Sequence, residues 1–328
     1  MNTLRINLAQ VTANTVLAKQ IADRAGFALV GVLKAVQCHP QLIKAIQAAG
    51  VDLFAFSSLE SVAALESASL PLRGARLLLG PSAPRSATQI VRHFGASIQS
   101  SNSTLEALGR AARTASQNHN ILLAIRTDDA REGIALSDQR AIEALVHKVR
   151  ACGLGFSGLA CNLGCTQLRK MDDTYLSHLL ALRDSLSAEH NQNVSLSLGG
   201  SFILPDLPAV QGLRSVRVGE LLLAGTEPAG RSIAGCATAF SIEATIVEVT
   251  SASSASHILL DIGSAVLEQG SFGVQRTETK LVSMSGEFMV LEVNWEICPQ
   301  VGDKVTIDLG YDSLKRALSF PYLKWTWV

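Results

Sequence analysis

The sequence predicts an α/β protein in which a (β/α)₈ barrel of the TIM type is followed by a second, C-terminal all-β domain. Three observations support this prediction. Strand and helix signals alternate about eight times between residues 29 and 219, which is the number expected of such a barrel. Short alternating runs rich in β-branched residues replace that pattern after residue 235. No G-x-G-x-x-G sequence follows any predicted strand, which disfavours the competing open, doubly wound sheet.

The barrel strands are predicted from apolar runs that are bounded by turn residues. They lie at about 29–34, 52–56, 75–80, 95–99, 121–127, 156–162, 194–199 and 215–219, after a short opening strand at 4–8. The intervening segments have helical spacing, and Pro40 suits the first turn of the helix that follows the first barrel strand. We therefore assign residues 1–230 to the barrel.

The second domain is predicted from five strand-like segments in the last third of the chain. They lie at 239–249, 257–262, 279–283, 288–294 and 304–309. Serine- and glycine-rich segments separate them, as expected of turns between antiparallel strands. We assign residues 231–328 to this β domain.

Composition excludes several classes of function. The chain has 28 basic and 28 acidic residues and no basic stripe, so nucleic acid is not an expected partner. It has no apolar run of 18 residues, so no membrane segment is expected. The six cysteines are scattered without the spacing of a metal site, which favours free thiols in a reducing compartment and predicts a cytoplasmic protein without a bound metal.

The chemistry-bearing residues follow the predicted strands, at the end of a barrel where ligands bind. Lys34 ends the first of these strands, and Arg217 lies on the last one. Gly200 and Ser201 follow the seventh strand and Gly219 the eighth, where small residues allow a phosphate to approach the backbone. Taken singly, such a lysine can simply reach solvent and such a glycine pair can simply be a turn. Together they predict a pyridoxal 5'-phosphate site, which needs an amine, a phosphate cradle and a partner for the ring nitrogen.

The chain resembles the alanine racemase-like, fold type III pyridoxal phosphate enzymes, and within them the ornithine racemase branch, over nearly its full length. The matching stretches are Arg5-Ile6-Asn7-Leu8 with Asn14, Val32-Leu33-Lys34-Ala35-Val36, Arg131-Glu132-Gly133, Asn162-Leu163-Gly164-Cys165, Gly199-Gly200-Ser201, Arg217-Val218-Gly219-Glu220, and Gly310-Tyr311 through Ser319-Phe320-Pro321-Tyr322.

The resemblance implies roles for individual residues. Lys34 would form the Schiff base with the cofactor and move the Cα proton on one face. Arg217 would donate a hydrogen bond to the pyridine nitrogen. Asn162 would lie beside the ring or brace Arg217. Arg131 would lie near the cofactor's 3′ oxygen or the substrate carboxylate, the alternative being an ion pair at the barrel rim.

The same resemblance implies that Gly200, Ser201 and Gly219 hold the phosphate, and that the protein is a homodimer in which each β domain completes the partner's site. The expected activity is that of an amino-acid racemase or epimerase acting on a free amino acid, ornithine-like or other. The alternatives are a lyase or decarboxylase on the same scaffold and a non-catalytic protein that binds the cofactor.

The chain departs from the family pattern at the second acid/base that racemisation needs on the opposite face. In alanine racemases that group is a tyrosine of the partner's β domain, but no tyrosine lies between Tyr175 and Tyr311. Two motifs of the ornithine-type branch also differ, at Ser264-Ala265-Val266 and at Phe288. The remaining candidates for the second acid/base are Cys165, Tyr311, Tyr322 and Glu287.

Overall fold

The chain forms two compact units. The computed structural model describes residues 2–35, 39–61, 65–66, 69–70, 74, 76–126, 132–163, 173–207, 214–226, 233–251, 256–296 and 298–328. One unit consists of Thr15–Gly219, and the other combines Met1–Asn14 with Glu220–Val328. The units thus divide the chain after residue 219, and the first fourteen residues belong with the C-terminal part. The predicted domain boundary between residues 230 and 231 stays a prediction.

The first unit is a closed barrel of eight parallel strands. These strands are β2 (Ala28–Val32), β3 (Leu53–Phe56), β4 (Arg76–Leu78), β5 (Ala96–Gln99), β6 (Asn120–Arg126), β8 (Gly155–Asn162), β9 (Ser195–Gly199) and β10 (Arg214–Val218), with a short strand β7 (Ile134–Ala135) paired to β6. Neighbouring strands pair in the order β5-β4-β3-β2-β10-β9-β8-β6, and the pairing of β5 with β6 closes the ring. The predicted barrel is confirmed, with strand ends within a few residues of their expected positions.

Helices separate most of the barrel strands. They are α2 (Pro40–Ala48), α3 (Ala87–His93), α4 (Asn102–Thr114), α5 (Gln139–Ala151) and α6 (Asp173–His190), in addition to α1 (Leu8–Arg24), which precedes the first barrel strand. Pro40 occupies the first turn of α2, as predicted, and the His39 ring at its N-cap accepts the N–H of Gln41 at 3.3 Å. Burial lowers the pKa of His39, which favours the neutral ring that can accept this hydrogen bond.

The interior of the barrel is apolar where β2 to β6 line it. Val30, Val32 and Ala55 form one buried cluster, and a second cluster comes from β5, β6 and β8. Leu77 and the residue two positions on, Leu79, pack against both clusters. Because strands that are not neighbours contribute to one cluster, this face is the inside of the barrel. Residues of β8, β9 and β10 in register with these positions therefore also face inward.

The second unit is built on an antiparallel sheet. Its strands are β11 (Phe240–Ser251), β12 (Ser256–Leu260), β13 (Phe272–Val274), β14 (Thr279–Met284), β15 (Met289–Val293) and β16 (Lys304–Leu309). They pair in the order β13-β16-β11-β12-β15-β14. The opening strand β1 (Thr3–Ile6) joins this sheet between β11 and a C-terminal strand, β17 (Lys324–Trp327).

Two helices accompany this sheet, α7 (Glu220–Ala224) and α8 (Tyr311–Ser319). The second domain, predicted as all-β, is confirmed as a β domain built on an antiparallel sheet, and α8, β13 and β17 are additions to the sequence prediction. Among the described residues, no helix combines the length and the apolar character needed to cross a membrane.

Candidate active site

Two of the predicted site residues, Asn162 and Arg217, lie in one row with Gly199 across neighbouring barrel strands. Asn162 of β8 pairs with Gly199 of β9, and Gly199 pairs with Arg217 of β10. Residues in register on adjacent strands place their side chains on the same face of the sheet. Arg217 also pairs with Val30, a member of the inward-facing apolar cluster. The row therefore faces the interior, close to the carboxyl ends of the strands.

The guanidinium of Arg217 is buried inside the barrel and held from two sides. Its side chain is 6% exposed. Nη1 donates a hydrogen bond to Ser197 Oγ at 2.6 Å, and Nη2 donates one to the main-chain oxygen of Cys161 at 3.0 Å. Both acceptors are neutral, and they come from two different strands. The arrangement fixes a permanently protonated hydrogen-bond donor in a site of low dielectric constant.

Gly199 provides the space in which the functional groups of this row meet. A Cβ atom at position 199 would lie 2.6 Å from Arg217 Nη2 and 3.1 Å from Asn162 Oδ1. Real Cβ atoms do not approach other heavy atoms so closely without displacing them. The guanidinium of Arg217 and the amide of Asn162 thus lie over the backbone of β9 at Gly199. A larger residue at this position would collide with them.

Lys34 follows β2 by two residues, beyond the inward-facing Val30 and Val32. Its side chain is exposed at the end of the strand, where an amine is accessible to a reactant. Since β2 is the neighbour of β10 in the barrel, Lys34 and Arg217 are contributed by adjacent strands.

The predicted phosphate-binding residues lie at the ends of β9 and β10. Gly200 has a φ of +136°, which favours glycine, and its N–H donates to the carbonyl oxygen of Arg217 at 3.2 Å. Ser201 is buried and begins a 3₁₀ segment, Ser201–Asp206. Gly219 lies directly after β10, where a Cβ would be 2.6 Å from the carbonyl oxygen of Val32. Gly200 and Gly219 thus each have a conformational or packing reason to be glycine, independent of any ligand.

Sequence reasoning missed the role of Ser197. Its hydroxyl accepts hydrogen bonds from Arg217 and, at 2.8 Å, from the hydroxyl of Ser215 on β10. The signal was present in the run Ser195-Leu196-Ser197-Leu198-Gly199, because small or polar residues alternate with leucine in a strand that is buried. Only the register with β10 shows which residue the hydroxyl meets.

Other predicted residues lie elsewhere. Arg131 and Cys165 are outside the described residues. Tyr311 begins α8 and is half-buried, with Lys315 Nζ 5.2 Å from the centre of its ring. Tyr322 is 74% exposed, and Glu287 is exposed in the turn between β14 and β15. These three belong to the second unit.

The two segments at which the chain departs from the ornithine-type pattern lie against each other in the second unit. Ser264 N–H donates to the carbonyl oxygen of Ser285 at 2.7 Å, and Ala265 N–H donates to that of Gly286 at 3.0 Å. Beside them is an open cleft of about 410 Å³ whose lining includes Ser264 and Arg316. The two sequence departures therefore form one continuous surface.

Comparison with known proteins decides the family. The family model described as "Alanine racemase, N-terminal domain" matches residues 6–227. The chain belongs to this family. The resemblance seen in the sequence motifs is thereby confirmed.

Curated relatives extend the similarity of this alanine racemase family member beyond the barrel. The chain is 22% identical over 350 residues to an ornithine racemase of Acetoanaerobium sticklandii, with 98% of each chain covered. It is 24% identical over 253 residues to a lysine racemase of Thermotoga maritima, with 75% of this chain and 69% of the relative covered.

A solved structure shows the same fold. An alanine racemase from Streptomyces coelicolor superposes with a TM-score of 0.78 at 16% identity, covering 100% of this chain and 98% of that one. The alanine racemase fold, a barrel with an appended β domain, therefore extends over the whole chain.

Proposed function

We propose that this chain is a pyridoxal phosphate-dependent amino-acid racemase in which Lys34 binds the cofactor and Arg217 meets its ring nitrogen. The cofactor and the enzyme class predicted from the sequence are confirmed at that level by the family match and by the two racemases among the relatives. The observation that best supports the residue roles is the buried guanidinium of Arg217. Hydrogen bonds to β8 and β9 hold this group over Gly199.

The residues present fit the cofactor. The site offers an exposed primary amine at Lys34, a buried cationic donor at Arg217 and a buried hydroxyl at Ser201. Gly199 and Gly219 keep side chains out of the space beside the ends of β9 and β10. An amine, a donor for the ring nitrogen and a hydroxyl for the phosphate are the protein groups that this cofactor needs.

Pyridoxal phosphate, when bound, supplies an electron sink that stabilises negative charge at the Cα of an amino acid. The amine of Lys34 would hold the aldehyde carbon of the cofactor and remove or return the Cα proton on one face. Arg217 would donate a hydrogen bond to the ring nitrogen without giving up its proton, because the pKa of a guanidinium is far above that of a pyridine. An unprotonated ring withdraws electrons less strongly, which favours rapid return of the proton over side reactions.

Inversion requires a second acid/base on the opposite face of Cα. We propose that a second copy of the chain supplies it, so that the protein acts as a homodimer, and that it does so in the cytoplasm. The exposed Tyr322 and Glu287 are accessible to a partner. Sedimentation equilibrium tests the assembly, and a monomer at working concentration would contradict it.

We further propose a free amino acid with a basic side chain as the substrate. The two curated relatives reported above are named for ornithine and for lysine. Arg131 stays a proposed contact of the cofactor or of the substrate carboxylate, and Gly200, Ser201, Gly219 and Asn162 stay proposed cofactor ligands.

Trapping the cofactor tests the role of Lys34. Borohydride reduction of the loaded protein, followed by digestion and mass spectrometry, should place the cofactor on the peptide that contains Lys34. Lys34→Ala should abolish this product and reduce racemisation by more than about 1000-fold, because the covalent anchor and the base on one face are lost together. The matched control is Lys44→Ala, which removes an exposed lysine from α2 and should change neither result. A cofactor found on another lysine of the wild-type protein would refute the assignment.

A further inference from the structure

A short chain of hydrogen bonds in the barrel interior leads from Ser215 through Ser197 to Arg217. The hydroxyl of Ser215 donates to Ser197 Oγ at 2.8 Å, and the same oxygen accepts Nη1–H of Arg217 at 2.6 Å. Ser197 is 1% exposed, so water does not replace these contacts. Ser197 pairs in register with Ser215, and on its other side with Ala160 of the inward-facing apolar cluster.

The hydrogen bonds from Arg217 to Cys161 and to Ser197 differ in the kind of acceptor. The bond to Cys161 uses a main-chain oxygen, which any residue at that position would supply. The bond to Ser197 uses a hydroxyl, which most substitutions would remove. Because the bonds leave from Nη1 and Nη2 and end on neighbouring strands, they fix the plane of the guanidinium as well as its position. Loss of the Ser197 contact would remove the hydrogen bond that holds Nη1 from β9.

We propose that Ser197 is a positioning residue that orients Arg217 toward the ring nitrogen of the cofactor. This inference rests on the function proposed above. The neutral hydroxyl suits the task, since a carboxylate at this position would pair with the guanidinium and compete with the ring nitrogen for it. Because Ser197 is buried and bonded to Arg217, it would act through Arg217.

Two substitutions on the same face of β9 separate positioning from general packing. Ser197→Ala removes the acceptor for Arg217. Ser195→Ala makes the same change two residues earlier, where the hydroxyl donates to the main-chain oxygen of Ser157 at 2.8 Å. Ser197→Thr keeps a hydroxyl at the position and serves as the conservative variant. Circular dichroism establishes that each variant folds.

The first measurement uses the protein without cofactor and is independent of catalysis. The guanidinium N–H signals of Arg217, identified by their loss in Arg217→Lys, are followed by ¹⁵N NMR. In the wild type and in Ser195→Ala the Nη1 protons should exchange slowly with solvent, because a buried hydrogen bond protects them. In Ser197→Ala we expect exchange at least about tenfold faster, and Ser197→Thr should restore the slow rate.

The second measurement uses the full-length protein loaded with pyridoxal phosphate. In Ser197→Ala the pH dependence of the absorption band of the bound cofactor should shift, and kcat for racemisation should fall about tenfold while KM for the amino acid is unchanged. Ser195→Ala should match the wild type in both respects. A Ser197→Ala protein that equals Ser195→Ala in proton exchange and in absorbance would overturn the inference and leave the proposed function intact. A wild-type protein that binds no pyridoxal phosphate would overturn the proposed function, while the exchange rates would still decide whether Ser197 orients Arg217.

Discussion

At the scale of single residues, the absence of a side chain at position 199 makes room for two functional groups. Arg217 Nη2 would lie 2.6 Å from a Cβ atom at this position, and Asn162 Oδ1 would lie 3.1 Å from it. The backbone of Gly199 itself is ordinary strand, so the constraint is steric and comes from neighbouring strands. A buried cation cannot move aside freely, because it would lose its bonds to Ser197 and Cys161.

Gly199→Ala should therefore disturb both folding and cofactor binding. We expect the free energy of unfolding in urea to fall by about 1–3 kcal/mol, the usual cost of overpacking a filled interior, and the affinity for pyridoxal phosphate to fall with it. Gly273→Ala is the matched control, since Gly273 also lies in a strand and a Cβ there meets nothing within 4 Å. Equal stability of the two variants would show that Arg217 is not packed over β9 as described.

Lys34 and Arg217 could be proposed from the sequence, whereas the contact of Ser197 with Arg217 could not, and the difference has a physical cause. The first two stand out locally, because a charged residue at the end or in the middle of an apolar strand is uncommon. A serine in a strand is unremarkable until the register of β9 against β10 is known. Contacts between strands depend on the pairing of segments that are distant in sequence, and this pairing cannot be inferred from a single sequence.

At the scale of elements, one fully buried amide within the second unit, that of Asn14, connects the first part of α1 to two later segments of the chain. Asn14 Nδ2 donates to the carbonyl oxygens of Ala237 at 2.8 Å and of Leu222 at 3.3 Å, and Asn14 Oδ1 accepts the N–H of Ala237 at 3.2 Å. Gln10 of the same helix also donates to Asn14 Oδ1, at 2.9 Å. The amide thus joins α1, α7 and the segment that leads into β11.

Asn14→Ala should lower the free energy of unfolding by about 3 kcal/mol, because it leaves buried main-chain groups without partners. Asn7→Ala makes the same change at the exposed N-cap of the same helix, where the side chain accepts the N–H of Gln10 at 2.9 Å, and should cost only about 1 kcal/mol. Urea denaturation of both variants measures the contrast. Equal losses would mean that the Asn14 bonds contribute no more than a helix cap.

The elements themselves were largely predictable. Strands that are buried on both faces have apolar runs in their sequence, and the eight barrel strands lie at the apolar runs of this chain. Strand β13 is only three residues long and has no fully buried position, so it gives no periodic signal. Helix α8 does have helical spacing at Leu314, Ala317 and Leu318, but it was not predicted because the segments before it have strand-like patterns. Strand β1 pairs with β11 and β17 of the second unit. This pairing joins segments that are distant in sequence, so the sequence did not predict it.

At the scale of the whole molecule, the family and the fold support the proposed chemistry. The chain belongs to the alanine racemase N-terminal domain family. Its barrel carries a fixed guanidinium on β10 and an amine two residues beyond the end of the neighbouring strand β2. The surface formed by residues 264–266 and 285–288 is where this chain differs from the ornithine-type pattern. We expect the choice of substrate and of the second acid/base to depend on that surface.

Proton NMR of the cofactor-loaded protein in D₂O, with a panel of L-amino acids that includes ornithine and lysine, tests the central claim most directly. We expect the Cα–H signal of a basic amino acid to disappear and chiral chromatography of the same sample to show the D-enantiomer. Exchange without inversion, or release of new small molecules, would contradict racemisation and favour a lyase or decarboxylase. If no amino acid of the panel exchanges its Cα proton, although Lys34 carries the cofactor, the protein would be a binding protein rather than an enzyme.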